Sequence, residues 1–143
     1  MNGYGDERFR STVCSGNLLK HPNKNIVIQP LSYMDYILMF DLENKNYFAL
    51  HQQETKTFED PVSIERTFTF INATFSDEIT MVLYNIGLTT NAVVTVDWDG
   101  NCLGSFMLDN IVQRIAYDER SNVLYGINRL TDKIYKFNLN GIL

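Results

Sequence analysis

The chain has 143 residues, 45% of them hydrophobic and 20% charged, the composition of an ordinary globular domain with enough length to bury a core. Its net charge of −5 opposes binding to the phosphates of nucleic acids or to anionic membrane surfaces, and no Lys/Arg-rich run offsets that balance. No stretch reaches the roughly 18 apolar residues of a membrane span. The polar start Met1–Glu7 lacks the apolar segment of a signal peptide, so a leader is expected only upstream of this chain, in a parent protein that is exported to the periplasm or cell surface.

Tyr 8 and Phe 9 make the chain rich in aromatics, which favours pleated, half-buried strands. In chain order, Phe9–Cys14 is a weak first strand and Asn25–Gln29 a second. Asp35–Asn44 reads as a strand feeding a turn, and Tyr47–Leu50 as its partner. The polar stretch His51–Pro61 has no strand pattern. Phe68–Phe75, Asp77–Tyr84, Asn91–Gly100 and Cys102–Met107 form a second series of four, and Val112–Tyr117, Arg120–Gly126 and Asp132–Gly141 a third of three. No segment shows the 3.6-residue periodicity of a helix. Pro22, Pro30 and Pro61 fall near proposed strand ends, where a missing amide donor costs least.

These series are copies of one another. Each contains a β-rich run, then an apolar residue, Asp or Asn, another apolar residue and a turn signal, with Asp41, Asp97 and Asn138 at the matching position. The intervals are 56 and 41 residues, near the roughly 40–50 of a propeller blade, and the excess in the first is assigned to the stretch from His51 to Pro61. The expectation is an all-β, propeller-like chain of about three four-stranded antiparallel blades, at residues 8–53, 64–108 and 111–143, the last lacking its outer strand. Half a ring would expose apolar faces at both terminal blades. Either a homodimer completes the ring or the chain belongs to a longer propeller. A plain β-sandwich or adhesin domain is the remaining architecture.

The run Val93-Val94-Thr95-Val96-Asp97-Trp98-Asp99-Gly100-Asn101-Cys102-Leu103-Gly104-Ser105-Phe106, with Ile115–Asp118, Asn122–Gly126 and Asp132–Leu139, resembles TolB-like or NHL-type six-bladed propellers of bacteria. The resemblance covers roughly residues 24–143 and is carried by loose motifs. It implies a binding scaffold, often exported, with no shared catalytic residues to carry over. The departure is that the family has six units and this chain three. Trp98-Asp99 is not read as a WD repeat, since no Gly-His motif accompanies it and the pair lies in a hairpin turn.

No catalytic, cofactor-binding or metal-binding residue is assigned, and no binding residue is singled out. His21 and His51, the only histidines, lie in polar, loop-like stretches, and metal sites need three or four convergent ligands. Asp97, Asp99, Asp109 and Asp118 read as turn formers, because short carboxylates bond nearby backbone amides. Cys14 and Cys102 are read as buried or half-buried thiols, without the spacing of a metal or redox motif. Leu103-Gly104-Ser105-Phe106 lies in a strand pattern and is not a nucleophile elbow, Gly3-Tyr4-Gly5 is no phosphate loop, and Asn72-Ala73-Thr74 is a weak glycosylation sequon within a strand. Tyr33, Tyr36, Tyr47, Tyr84, Trp98, Tyr117, Tyr125 and Tyr135 are read first as packing between blades and second as a binding surface. The leading expectation is a non-catalytic module that binds a protein, peptide or glycan. The alternative is part of a propeller enzyme whose site needs further blades.

Overall fold

The computed structural model describes residues 15–34, 36–51, 70–86 and 90–142. Among these there is strand, turn and bend but no helix, hence no helix long and apolar enough to cross a membrane. The first sheet joins β1 (Leu19–Lys20), β2 (Ile26–Pro30), β3 (Tyr36–Asp41) and β4 (Asn46–His51). The second joins β5 (Phe70–Phe75), β6 (Ile79–Ile86), β7 (Thr90–Asp97) and β8 (Cys102–Leu108). The third joins β9 (Arg114–Asp118), β10 (Val123–Asn128) and β11 (Lys133–Asn138). Every sheet is an antiparallel meander with strands in sequence order, so the architecture is all-β, with sheets of 4, 4 and 3 strands arranged as propeller-like blades.

Side-chain alternation explains how the sheets stack. Successive strand residues point to opposite faces. On β6 and β7, Val82, Val94 and Val96 pack toward the first sheet against Ile28, Ile37 and Met39. Met81, Leu83 and Val93 point the other way and pack on Val112, Ile115, Leu124 and Leu139 of the third unit. The middle sheet is therefore buried on both faces, and Thr80–Leu83 is continuously buried. The Thr80 hydroxyl is caught in this layer with no hydrogen-bond partner among the described residues, a burden of about 1–3 kcal/mol.

The turns use the residues that the repeat marks. The Asp41 carboxylate accepts from the amides of Glu43 and Asn44, each at 3.0 Å. Asp97 accepts from Asp99 and Asn101 at 3.0 and 2.7 Å, and the Asn138 side chain accepts from the Asn140 amide at 3.0 Å. Positive φ falls in the turn after each of these residues, at Lys45, Gly100 and Gly141. A side chain on Gly100 would also strike the Phe48 ring of the first sheet, so this turn is part of a sheet–sheet contact.

These bonds favour the ionised carboxylates. The Asn44 amide and side chain hold Asp41 below the ordinary range, and the Ser121 hydroxyl does the same for Asp118. At Asp97 burial works against ionisation, yet hydrogen bonds from Asn101, Asp99 and Gly100 outweigh it and lower the pKa. A pKa depressed in the folded state gives stability that is present above the unfolded value of about 4 and is lost as pH falls through the folded value. The melting temperature should therefore hold from pH 7 to 5 and drop below pH 4, with a shallower drop in Asp97→Asn. An equally steep acid limb in that variant would remove Asp97 from the account.

The structure differs from expectation at the first unit's inner strand. Phe9–Cys14 lies outside the described residues, and the strand that pairs with β2 is Leu19–Lys20, with Leu19 opposite Ile28 and Lys20 opposite Val27. Two residues are too few to show an alternation pattern. Pro30 ends β2 opposite Ile37, Pro22 is exposed in the turn after β1, and Pro61 is outside the described residues, as is all of His51–Pro61 beyond His51, which closes β4.

Candidate functional site

At one end of the stacked sheets lies an open cleft of about 680 Å³ to which all three units contribute. The first supplies Gly16, Asn17 and Ser32; the second Ile71, Asn85 and Asn91; the third the segment Ile111–Arg114 with Arg129 and Leu130. Its floor is set by Asn91, a buried polar residue at the start of β7. The Asn91 amide nitrogen donates to the Asn85 side-chain oxygen at 2.8 Å, and its own oxygen accepts from the Val112 amide at 2.6 Å. That bond holds the segment entering β9 and drives the fully buried Val112 between the second and third sheets. A buried amide needs such partners, since an unmade bond costs about 1–3 kcal/mol.

The wall is built from the same economy. The Gln113 amide donates to the Ile127 carbonyl at 2.9 Å, and its side-chain oxygen accepts from the Arg129 amide at 2.7 Å. Asn128 donates to the Ile111 carbonyl at 3.0 Å and accepts from the Leu130 and Thr131 amides. These bonds fix the backbone around Arg129 and leave its guanidinium at the exposed rim. Arg114 reaches the carbonyls of Ile71 and Gln113 at 3.3 Å each through one nitrogen, and an Arg fork has five N–H donors in all. Among the described residues, two guanidinium groups and no carboxylate line the cleft, although the chain as a whole is acidic. The donor set suits carbonyl or carboxylate oxygens. It contains no nucleophile paired with a base.

A second hollow of about 90 Å³ lies between the first and second sheets, walled mainly by Ile37, Leu50, Phe70, Val94 and Val96. Cys102 stands at it as an exposed thiol. That corrects the expectation of a buried or half-buried side chain: β8 is the outer strand, and the register slips between Thr95 and Val96, opposite Cys102. Cys14 lies outside the described residues.

The histidines also differ from their reading as loop residues. His21 is buried because the turn after β1 docks on the second sheet. Its Nδ1 accepts from the amides of Asn23 and Lys24 at 2.9 and 3.0 Å. Its Nε2 lies 3.0 Å from the Asp77 carbonyl, and its ring meets Trp98 edge-on at 4.6 Å. Trp98 in turn donates from Nε1 to the Ser76 carbonyl at 3.0 Å. His51 is exposed at the end of β4, tilted against Tyr36. No group of three or more His, Cys, Asp or Glu side chains converges among the described residues.

The acidic residues stay apart, as turn formers would. Asp97 and Asp118 bond their own turns, and Asp99 and Asp109 are exposed. Burial, reinforced by the charges of Glu119, Asp118 and Glu78, raises the pKa of the Tyr117 hydroxyl, which donates to Asn122 at 3.0 Å. Most aromatics do pack: Tyr84 and Trp98 between the first two sheets, Tyr117 and Tyr135 between the last two, and Tyr36 against Leu31 and Met34. Tyr33 is half-buried, while Tyr47 and Tyr125 are exposed. Ser105 lies within β8. The sequon residues are structural cross-links: Asn72 accepts from the Ile115 amide at 2.8 Å and Thr74 from the Tyr117 amide at 3.1 Å, tying β5 to β9. Asn91, Arg114, Gln113 and Arg129 went unselected in the sequence. The one signal was Asn91 itself, an amide opening an otherwise apolar strand.

No family model and no curated protein matches the sequence. Among solved structures the chain is similar to Sqt1 of Saccharomyces cerevisiae, a WD40 β-propeller protein, with 17% identity and a TM-score of 0.55 over 85% of this chain and 31% of that one. The chain thus spans less than a third of Sqt1, and the likeness at this identity is one of fold: an all-β, propeller-like stack of antiparallel sheets.

Proposed function

We propose that this chain is a non-catalytic β-propeller interaction module and that the three-unit cleft is where it takes its ligand. The observation that carries the reading is the convergence of Arg114 and Arg129 with fixed amide groups in a cleft that lacks carboxylates among its described lining. Such a site favours a protein or peptide segment, or a glycan, that presents carbonyl or carboxylate oxygens, with Arg supplying planar, charge-assisted donors. The likeness to a propeller fold that commonly serves as an interaction module supports the same reading. The finer placement among TolB-like or NHL-type six-bladed propellers is part of this proposal and rests on the motif around residues 93–106 and on the repeat.

The test is selection from a random dodecapeptide library and a glycan array with the purified chain. Selected ligands should be rich in Asp, Glu or uronic acid, and Arg114→Ala with Arg129→Ala should weaken them by about 10-fold or more, since charge-assisted bonds contribute about 1.5–3 kcal/mol each. Turnover of a lactone, glycoside or peptide panel that is lost on mutating a cleft residue would overturn the reading in favour of an enzyme.

A further inference from the structure

The repeat makes equivalent positions in different sheets comparable, and two sets of them disagree in burial. Call the face of each sheet that looks toward the next sheet in the chain its forward face, and the opposite one its rear face. In the second sheet Leu83 pairs with Val93, four residues in from the Ile79–Asp97 pair. In the third sheet Ile127 pairs with Ile134, four residues in from the matching Val123–Asn138 pair. Both pairs lie on forward faces. Leu83 and Val93 are 0% exposed because the third sheet covers them, whereas Ile127 and Ile134 are 42% and 71% exposed. Around Ile127 and Ile134 lies a largely apolar hollow of about 240 Å³, completed by Arg114, Ile115, Ala116 and Tyr125.

The rear faces show the complementary defect. The residue after Asp41, Asp97 and Asn138 is Leu42, Trp98 and Leu139 respectively. Trp98 and Leu139 are 3% and 1% exposed, each packed on the sheet that precedes it. Leu42 is 56% exposed, and Tyr47 on the neighbouring strand is more exposed still. Among the described residues, one forward face is thus exposed at Ile127 and Ile134 and one rear face at Leu42 and Tyr47, while Tyr36 and Leu38 on that rear face pack on the buried Leu31 and Met34. The two faces match the two sides of a junction that the chain makes twice within itself.

We propose that a second copy of this chain covers both: the forward face of the third sheet of each copy packs on the rear face of the first sheet of the other, closing a two-fold ring. The surface continues the pattern of an interface already present in the fold between the second and third sheets. Contacts between unlike faces close into rings when the rotation permits. Propellers typically close with about 4–8 blades. Two copies of three sheets give six, within that range, and three copies would give nine.

Light scattering on the purified chain, combined with Ile134→Glu and Leu42→Asp, tests this. Each substitution lies on a different face and at a position exposed in the single chain, and emission from the buried Trp98 reports whether the variant remains folded. The expected result is twice the 16.5 kDa of one chain, reduced to one chain by either substitution, with dissociation raised at least 100-fold and Trp98 emission unchanged. If either substitution disturbs that emission, Ile127→Lys and Tyr47→Asp are read in the same way. A wild-type mass of one chain overturns the proposal. So does a mass that keeps growing with concentration, a dimer that survives both substitutions, or a dimer broken by only one of them, since a two-fold contact through a single face would give the last.

Discussion

Replacing Trp98 with alanine is expected to cost about 3–5 kcal/mol of folding stability, the range for removing a buried large aromatic. Set against a typical total of about 5–15 kcal/mol, that is enough to detach the first sheet from the second. Trp98 meets the rings of His21 and Phe75 edge-on, at 4.6 and 6.0 Å, and its indole N–H supplies the Ser76 carbonyl with a donor. Because the same turn, through the Asp77 carbonyl, also contacts His21, both sheets lose their anchor at once. Urea unfolding followed by far-ultraviolet circular dichroism reads the effect without relying on the lost fluorophore. Trp98→Phe should cost about 1–3 kcal/mol, since the aromatic contacts remain and the carbonyl is left unpaired. A cost below about 1 kcal/mol for the alanine variant would show that the junction is held elsewhere.

The second large effect uses the repeat as its own control. Leu83→Ala removes a fully buried side chain between the second and third sheets and is expected to cost about 2–5 kcal/mol. Ile127→Ala makes a similar deletion at the equivalent position of the third sheet, where the side chain is partly exposed. In dilute protein it should cost less than about 1 kcal/mol, because little area is removed from water. Unfolding midpoints of the two variants at matched low concentration check the contrast. Equal costs would mean that Ile127 is as well packed as Leu83, and the contrast in burial between the two forward faces would lose its meaning.

The strand order and sheet count were legible because the repeat spells them out through three independent signals. Apolar alternation marks the strands, Asp41, Asp97 and Asn138 mark the hairpins, and Gly100 marks a position where positive φ is required. The inner strand of the first unit was not legible. β1 is only Leu19–Lys20, and it is fixed by pairing with β2 rather than by any pattern of its own. His21 looked like a loop residue because Pro22, Asn23 and Asn25 surround it in sequence. Its burial comes from the second sheet, 56 residues away at Asp77. The cleft was likewise hidden: Arg114 and Arg129 are unremarkable charges until the segment 111–114 is pinned by Asn91. What the sequence lacks in each case is information on which distant backbone group will accept a bond.

The middle sheet, covered on both sides, also sets how the chain opens. Stacks in which each layer touches only its neighbours unfold from their ends, with stability approximated by a sum of layer and junction terms. Amide protons on β6 and β7, around Val82 and Val93, are held by two junctions and should exchange only through global unfolding. Those on β4 and β11 belong to outer strands with exposed side chains and should exchange by fraying, orders of magnitude faster. A linear stack of this kind is a zipper with a slow centre and two fast ends, and any contact that covers the ends slows the whole molecule together.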